Sequence, residues 1–264
     1  MLIIGERINT SRKGVEEAVR QRDTEFVQTE ANKQAEAGAH MIDANAGTLM
    51  SEEVEAMQWL VDTIQAAVDL PISLDSPRPE ALEAGLKRVD KKPMINSITA
   101  EEVRYNNVLP LVKEYETKVI ALAMGDAGIP PDAEGRITVG RELVGSLTAA
   151  GIKLDNIYAD PLVFPIANGG EFGLAVLDTI RTIKAEFPGI HASAGVSNVS
   201  HGLPQRKFLN QAFTVMCMTA GLDAAIIDPM DKQLMALVYA TEALLGHDDF
   251  CAEYLSASRE GKFE

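Results

Sequence analysis

The feature that most constrains the fold is a regular alternation of short apolar segments with helix-favouring segments, which repeats eight times along the chain. The apolar segments are predicted as strands at residues 2–4, 40–42, 71–74, 93–95, 118–123, 157–159, 192–195 and 224–227. The segments between them carry apolar residues at helical spacing, as in Val54, Met57, Leu60, Val61 and Ile64. Such alternation predicts a parallel sheet, because each strand returns to the same edge through a helix.

Length and motif content favour a closed barrel over an open sheet. The chain has 264 residues, close to the typical length of about 250 for an eight-stranded β/α barrel. It carries neither a Rossmann fingerprint nor a P-loop, which would favour an open sheet. The first helical segment, residues 13–38, is predicted to break at Asp23 and Thr24, whose side chains can cap a new helix. We therefore predict an α/β protein with one (β/α)8 TIM barrel over residues 1–245 and a charged surface extension over residues 246–264.

Composition excludes several functional classes. The net charge of −15 repels nucleic acid phosphates, so general nucleic-acid binding is not expected. No apolar run reaches the roughly 18 residues of a membrane helix, and the first residues lack signal-peptide features. We therefore predict a cytoplasmic protein without membrane attachment. Cys217 and Cys251 lack a CxxC-type partner and the four histidines are scattered, so neither a disulfide nor a metal site is predicted.

Polar side chains follow almost every predicted strand. Active sites of β/α barrels lie where the strands end, and these ends supply the following residues: Glu6, Arg7, Asn9, Asp43, Asn45, Asp75, Asn96, Asp126, Asp160, Asn198 and Asp228. Asp and Asn also cap helices, and this preference alone leads us to expect about half of the set to be caps. The remainder predicts a binding site that is rich in carboxylates and carboxamides.

The residue types at this rim limit the chemistry. No lysine ends a strand to form a Schiff base, and no Gly-x-Ser-x-Gly elbow serves acyl transfer. A carboxylate can accept two parallel N–H donors from the edge of a neutral ring, a role for which Asp75 and Asp160 are the candidates, with Asn96 pairing the adjacent edge. Asn198 follows a run of small residues, and its carboxamide both donates and accepts, which suits a ligand atom that changes its protonation. The alternative is that Ser197, Asn198 and Ser200 only satisfy a turn.

Several motifs together resemble a known family. They are Gly5-Glu6-Arg7-Ile8-Asn9, Leu74-Asp75-Ser76, Met94-Ile95-Asn96-Ser97, Asp160-Pro161-Leu162, Gly195-Val196-Ser197-Asn198-Val199-Ser200 and Gly221-Leu222-Asp223-Ala224-Ala225-Ile226. In this order, the chain from Met1 to about Leu245 is similar to the methyltetrahydrofolate:corrinoid methyltransferases. These in turn resemble the folate module of cobalamin-dependent methionine synthase.

The resemblance implies a pterin-binding barrel that moves a methyl group between N5 of tetrahydrofolate and the cobalt of a corrinoid, in a direction that it leaves open. It implies Asn198, Asp160 and Asp75 as catalytic residues, with Asn198 near N5. The substrate-binding candidates are Asp75, Asn96, Asp160, Asn198, His201, Arg206, Ile226, Glu6, Asn9, Asp43 and Asn45. His201 stands where relatives commonly have glutamine, and it could add a titratable group near the reaction centre or face solvent.

The chain carries no Asp-x-His-x-x-Gly stretch of the kind that supplies a lower cobalt ligand. The resemblance therefore implies a corrinoid (cobalamin) carried by a separate partner protein, tetrahydrofolate or methyltetrahydrofolate as the substrate, no protein-bound metal, and a homodimer.

Three alternatives stay open. Dihydropteroate synthase shares the barrel and the pterin pocket but would carry a Gly-x-Ser-Arg-Lys run after the seventh strand, where this chain has Gly195-Val196-Ser197-Asn198-Val199. A magnesium-dependent aldolase or enolising barrel could use the acidic rim to bind the cation. A non-catalytic pterin-binding protein would bind folate without turnover.

Overall fold

The computed structural model describes residues 1–263 and confirms the predicted closed barrel, in which eight parallel strands pair in sequence order from β1 to β8 and β8 pairs with β1. The strands are β1 (Leu2–Asn9), β2 (Met41–Asn45), β3 (Ile72–Asp75), β4 (Met94–Thr99), β5 (Lys118–Leu122), β6 (Ile157–Asp160), β7 (His191–Gly195) and β8 (Ala224–Ile227). The helices are α1 (Val15–Arg20), α2 (Thr24–Glu36), α3 (Glu53–Gln65), α4 (Pro79–Leu86), α5 (Glu102–Glu114), α6 (Ala133–Ala149), α7 (Phe172–Glu186), α8 (Arg206–Ala220), α9 (Lys232–Leu244) and α10 (Ala252–Arg259).

The barrel interior is filled by an apolar layer with a polar layer above it. The apolar layer packs as one cluster of Ile4, Met41, Met94, Ile120, Tyr158 and Ala224, with Leu2 and Ile226 against it. Residues i and i+2 of a strand face the same side of the sheet. The inward positions two residues further along β2, β4 and β6 are therefore Asp43, Asn96 and Asp160. The same alternation that packs the interior thus directs polar groups toward the carboxyl end.

The outer layer consists of the helices packed against the sheet in two apolar clusters. One joins α2 to α6 with the strands beside them and includes Met57, Leu60 and Ile64, which are fully buried. The other joins α7 to α9 with the neighbouring strands and includes Val176 and Cys217. Cys217 is therefore a core residue, as its apolar surroundings in the sequence predict.

The strands extend further into the polar motifs than the sequence predicts. β1 continues to Asn9 and β2 to Asn45, so Glu6, Asp43 and Asn45 belong to strands and not to the turns that follow. The register of β1 on β2 shifts between Gly5 and Ile8, which marks a bulge at Glu6-Arg7. The predicted helix break is confirmed, because α2 begins after Asp23, whose side chain accepts a hydrogen bond from the Phe26 amide.

The chain continues past α9 with a short 3-10 helix, Asp249–Cys251, and then α10, which contacts α9. Most residues of α10 are exposed, and its buried residue is Ala257. Within residues 1–263, no helix has the length and apolar character needed to cross a bilayer.

Candidate functional site

Asp75 at the end of β3 is held by a hydrogen bond from the neighbouring strand. Asn45 on β2 donates from Nδ2 to Asp75 Oδ2 over 2.7 Å, and its Oδ1 accepts from the Gly47 amide over 2.9 Å. Burial raises the pKa of Asp75 to about 6, although Asn45 and Arg104 lower it. Asp75 is thus an oriented carboxylate that is mostly ionised at neutral pH.

Asp43 lies one layer deeper in the barrel than Asn45. Its side chain is 2% exposed, and Oδ1 has no hydrogen-bond partner within the described chain. Burial, followed by the charge of Asp75, raises the pKa of Asp43 well above its ordinary value. Its carboxyl group is thus biased toward the neutral form. The structure consequently places this predicted binding residue beneath the rim.

Asp160 ends β6 and is 6% exposed. Its Oδ1 accepts from the Leu162 amide over 2.8 Å, which leaves Oδ2 for a ligand. Burial raises the pKa of Asp160 to about 7, against the lowering effects of the Leu162 amide and the Arg136 charge. A group with this pKa is close to half protonated at neutral pH, and ligand N–H donors would favour its charged form.

Asn198 lies in the 3-10 turn that follows β7, Val196–Ser200. The turn is anchored by Val196 and Val199, which are buried, and the Asn198 side chain is exposed. A Cβ atom at Gly195 would lie 3.1 Å from Asn198 Nδ2, so only glycine lets the carboxamide lie this close over the strand end. The structure thus places the Asn198 carboxamide just past the end of β7, and its role toward a ligand stays a prediction.

The β7 turn is tied to β1 and to α8 by polar contacts. Ser197 Oγ donates to Glu6 Oε2 over 3.0 Å, and burial raises the pKa of Glu6. Arg206 donates to Ser197 O over 2.8 Å and to Ser200 Oγ over 3.0 Å. The turn thus uses part of the hydrogen-bonding capacity of the Arg206 guanidinium. His201, which follows the turn, is exposed.

Three of the strand-end residues serve local structure, as the capping alternative predicts. Asn9 Oδ1 accepts from the amide and hydroxyl of Ser11. Asp126 accepts from the Glu102 amide at the start of α5. Asp228 accepts from the Met230 amide and pairs with Arg7 Nη1 at 2.9 Å. Among the substrate-binding candidates, Asn45 and Asp160 also use one side-chain oxygen in this way, to accept from the Gly47 and Leu162 amides.

Ile226 on β8 packs against the interior apolar layer, below the polar rim. Within residues 1–263, no group of three or more His, Cys, Asp and Glu side chains is arranged to hold a metal ion. The rim can therefore be described as a set of hydrogen-bonding groups with carboxylates of differing ionisation.

Two arginines near the rim were not found from the sequence. Arg104 on α5 donates to backbone carbonyls of the β3 and β4 ends, and Arg136 on α6 donates to Pro130 O and Leu162 O. Both are helix residues without a motif around them, and their approach to Asp75 and Asp160 depends on the packing of helices over strand ends. No sequence pattern points to them.

Comparison with known proteins identifies the family. The profile of the family described as "Pterin binding enzyme" matches residues 5–228. The chain belongs to the pterin binding enzyme family.

Two curated relatives of this pterin binding enzyme are similar over most of its length. It is 35% identical over 264 residues to the methylcorrinoid:tetrahydrofolate methyltransferase of Eubacterium limosum, and the alignment covers 99% of this chain and 97% of that protein. It is 32% identical over 240 residues to methionine synthase of Mycobacterium tuberculosis, and this alignment covers 86% of this chain and 20% of that protein. The second match thus corresponds to one part of a larger protein.

Solved structures of the same fold are more distant. The pterin binding enzyme superimposes on dihydropteroate synthase from Clostridium difficile, in the presence of pteroic acid, with a TM-score of 0.72 and 19% identity, covering 92% of this chain and 96% of that one. It superimposes on the Xanthomonas albilineans dihydropteroate synthase in complex with 7,8-dihydropteroate with a TM-score of 0.68 and 18% identity, covering 94% and 92%. These likenesses establish the fold.

Proposed function

We propose that this chain is a methyltransferase that moves a methyl group between N5 of tetrahydrofolate and the cobalt of a corrinoid carried by a separate protein. The observation that carries the proposal is the 35% identity to a methylcorrinoid:tetrahydrofolate methyltransferase over nearly the whole of both chains. Because that relative is a methylcorrinoid:tetrahydrofolate methyltransferase, we propose the direction from methyl-corrinoid to tetrahydrofolate. The polar rim supports this function, because it offers acceptors and donors for the edge of a pterin ring.

In this proposal the pterin is bound by Asp75, Asn96 and Asp160. The free oxygen of Asp160 and the oriented carboxylate of Asp75 would accept N–H donors of the ring, and Asn96 would pair an edge carrying a donor and an acceptor. Glu6 on β1 would contribute its carboxylate to substrate binding beside the β7 turn. Asp43 would support the site from below, because it is enclosed beneath the rim.

Asn198 would contact N5. Transfer to tetrahydrofolate forms the N5–C bond and breaks the C–Co bond, whose electron pair stays on cobalt, while N5 releases its proton to solvent. A carboxamide can accept from N5–H before transfer and donate to the N5 lone pair after it, so Asn198 fits both states without ionising. The corrinoid supplies the reactive methyl–cobalt bond, and this chain supplies binding and orientation.

The partner would dock on the barrel mouth, where the methyl group must enter. Five exposed apolar side chains lie in the segments that leave the strand ends, and we call them the mouth residues: Met50, Val103, Leu174, Phe208 and Met230. Exposed apolar groups that surround a polar site indicate a protein contact surface. We propose that the corrinoid protein covers the mouth residues during transfer.

Homodimer formation and a cytoplasmic location also belong to the proposal. Cys251 is an exposed free thiol, which is compatible with a reducing compartment. Size-exclusion chromatography with light scattering tests the dimer: a mass near twice 28.5 kDa supports it, and a monomer mass contradicts it.

The proposed function is tested by anoxic spectrophotometry with methylcobalamin and tetrahydrofolate, followed in both directions. We expect conversion of methylcobalamin by the wild-type chain. Asn198→Ala should lower the transfer rate by at least about tenfold, because one hydrogen bond near the reacting atom contributes roughly 1–3 kcal/mol. Its affinity for folate should change much less, since the other ring contacts remain. The matched control is Asn168→Ala, an exposed asparagine in the loop before α7.

Two results would contradict the proposal in different ways. Equal losses of rate and affinity in Asn198→Ala would remove its role at N5. Folate binding with no transfer from either free or protein-bound methyl-corrinoid would favour the non-catalytic alternative, and the absence of folate binding would refute a pterin site. Dihydropteroate synthesis is disfavoured, because Asn198 and Val199 stand where that reaction would need a basic pair.

A further inference from the structure

Arg104 fastens together the two strand ends that carry Asp75 and Asn96. Its Nε and Nη2 donate to Ser97 O over 3.0 and 2.6 Å, Nη2 also donates to Ser76 O over 2.8 Å, and Nη1 donates to Pro77 O. The guanidinium has no ion pair within the described part of the chain. The Arg104 side chain is half-buried, and an arginine that is bonded only to carbonyls keeps its charge available to a neighbouring anion.

Arg136 has the same kind of environment beside Asp160. It is fully buried, its Nε donates to Pro130 O over 3.0 Å, and its Nη1 donates to Leu162 O over 3.1 Å. Its Nη2 has no hydrogen-bond partner among residues 1–263. Leu162, whose carbonyl oxygen accepts from Arg136, also donates from its backbone N–H to Asp160 Oδ1. The arginine and the carboxylate therefore contact the backbone of the same residue.

The charged groups around Asp75 come from three elements. Arg104 of α5 favours its ionised form, whereas Glu53 of α3 disfavours it. Burial, and then the charge of Asp75, raises the pKa of Asp43 on β2. Asn45 is the uncharged neighbour that donates a hydrogen bond. Arg104 is therefore the cation that opposes burial and Glu53 at this carboxylate.

The surroundings of Asp160 contain fewer charges. Arg136 of α6 favours its ionised form, and the Leu162 amide has the same effect. Asp132, at the start of α6, faces Arg136. The Cys217 thiol of α8 is also near, and burial together with the Asp160 charge raises its pKa, so it stays neutral. Arg136 is thus the cation that opposes burial at the second carboxylate.

We propose that Arg104 and Arg136 are positioning residues for pterin binding, each of which holds the strand end of one carboxylate, Asp75 or Asp160, and favours the charged form of that carboxylate at the barrel mouth. The inference rests on the proposed function, because it assigns these carboxylates to the ring. A protonated carboxyl group offers a donor where the ring also offers donors, so binding requires the charged form. The arginines would thereby set the lowest pH at which folate binds tightly.

The test is calorimetric titration with tetrahydrofolate, under anoxic conditions, from pH 6 to pH 9. For the wild-type chain, the dissociation constant should rise as the pH falls through about 7, because Asp160 and then Asp75 become protonated. Arg104→Gln removes the charge, so the pKa of Asp75 should rise. A rise of about one unit, from about 6 to about 7, would weaken binding about twofold at pH 7 and about fivefold at pH 6, with recovery toward pH 9.

The Arg104→Lys variant distinguishes the effect of the positive charge from the effect of the hydrogen-bond geometry. It keeps the positive charge but loses the forked hydrogen bonds to the strand ends, so it should weaken folate binding evenly across the pH range without moving the midpoint. Arg136→Gln and Arg136→Lys form the corresponding pair at Asp160, and circular dichroism establishes whether these fully buried variants fold. Arg141→Gln is the control, because Arg141 lies on the exposed side of α6 and pairs with Glu186.

The outcomes distinguish this inference from the proposed function. A wild-type chain that binds no folate refutes the proposed function and the inference together. If the wild-type chain binds folate and Arg104→Gln has the wild-type midpoint, the inference alone is wrong, and Arg104 only fastens the strand ends. An upward shift of the midpoint in Arg104→Gln, and not in Arg104→Lys, supports the inference even if the Arg136 variants fail to fold.

Discussion

At the scale of single residues, the candidate site contains carboxyl groups whose ionisation differs because their burial differs. Burial raises the pKa of Asp43 well above its ordinary value, that of Asp160 to about 7 and that of Asp75 to about 6. If all three were charged, the enclosed rim would carry a large unpaired charge, which a low-dielectric interior disfavours. The graded ionisation leaves the site able to accept N–H donors without that cost.

The Asp160 carboxyl group should release a proton when folate binds near pH 7. In the free protein its pKa is raised to about 7 by burial, and ring N–H donors lower the pKa by favouring the charged form. Roughly half a proton per site should therefore leave at pH 7. The measurement is the binding enthalpy in buffers with different ionisation enthalpies.

Asp160→Asn should abolish most of this proton release and weaken folate binding by at least about tenfold, because the amide NH2 group would face a ring N–H donor and leave a buried donor unpaired. Asp155→Asn, an exposed aspartate before β6, is the control and should keep the wild-type release. An unchanged release in Asp160→Asn would assign the proton to another group.

The sequence predicts the identity of the rim residues better than their depth. Asp75, Asp160 and Asn198 stand at strand ends where barrel geometry requires site residues to lie. The depth of Asp43 depends on how far β2 continues, which polar residues at a strand end leave undetermined. Arg104 could not be found, because its position near Asp75 results from helix packing and not from a local pattern.

At the scale of elements, the strands were predicted too short for a physical reason. A strand of an open sheet often ends at its first polar residue, but in this barrel the inward face becomes polar toward the mouth while the ladder of hydrogen bonds continues. β1 pairs with β2 as far as Asn9 and Asn45, and β2 pairs with β3 up to Asp75. The helix starts were predicted more closely, because Asp23 and Asp132 cap them locally.

One aspartate that precedes β8, Asp223, connects neighbouring elements at the amino-terminal end of the barrel. Asp223 Oδ2 accepts from Lys184 Nζ over 2.7 Å and lies 3.0 Å from His191 Nδ1, while Oδ1 accepts from the Ala192 amide over 2.8 Å. These contacts connect α7 and β7 to the start of β8. Hydrogen bonds to Asp223 raise the pKa of His191 and lower that of Asp223 itself, against the effect of burial.

Asp223→Asn should lower the free energy of unfolding by about 1–3 kcal/mol, as expected for lost charge-assisted hydrogen bonds. The stabilisation from His191 is complete below its unfolded pKa of about 6.5 and is lost as the pH rises through its folded pKa. The stabilisation from Asp223 is lost as the pH falls below about 3.8. Urea unfolding should therefore show a larger loss at pH 5.5 than at pH 8.5.

The control for this prediction is Asp178→Asn, whose carboxylate pairs with Arg181 on the exposed face of α7 and should contribute little. Equal losses at both pH values for Asp223→Asn would show that the His191 contact does not contribute to the pH dependence.

At the scale of the whole molecule, charge and apolar exposure are distributed in a way that favours a protein partner at the mouth. The net charge of −15 strengthens the attraction of a partner with a basic surface. The five mouth residues surround the end of the barrel where the polar rim lies. Leu244, which is 86% exposed, lies at the far end of α9, toward the amino-terminal side of the barrel.

Because the mouth residues surround the polar rim without forming it, partner docking and methyl transfer can be tested separately. Phe208→Ser, at a mouth residue that is 57% exposed, should raise the KM for a protein-bound methyl-corrinoid by about tenfold, because a buried aromatic anchor contributes roughly 1–2 kcal/mol or more to a protein interface. The rate with free methylcobalamin should stay within about twofold, since the substitution leaves the rim in place. Leu244→Ser removes an even more exposed apolar side chain at the opposite end and should change neither rate. If Phe208→Ser slowed both reactions equally, Phe208 would act on the folate site or the fold. If Leu244→Ser raised the KM instead, the partner would approach from the other end of the barrel and could not deliver its methyl group directly to the rim.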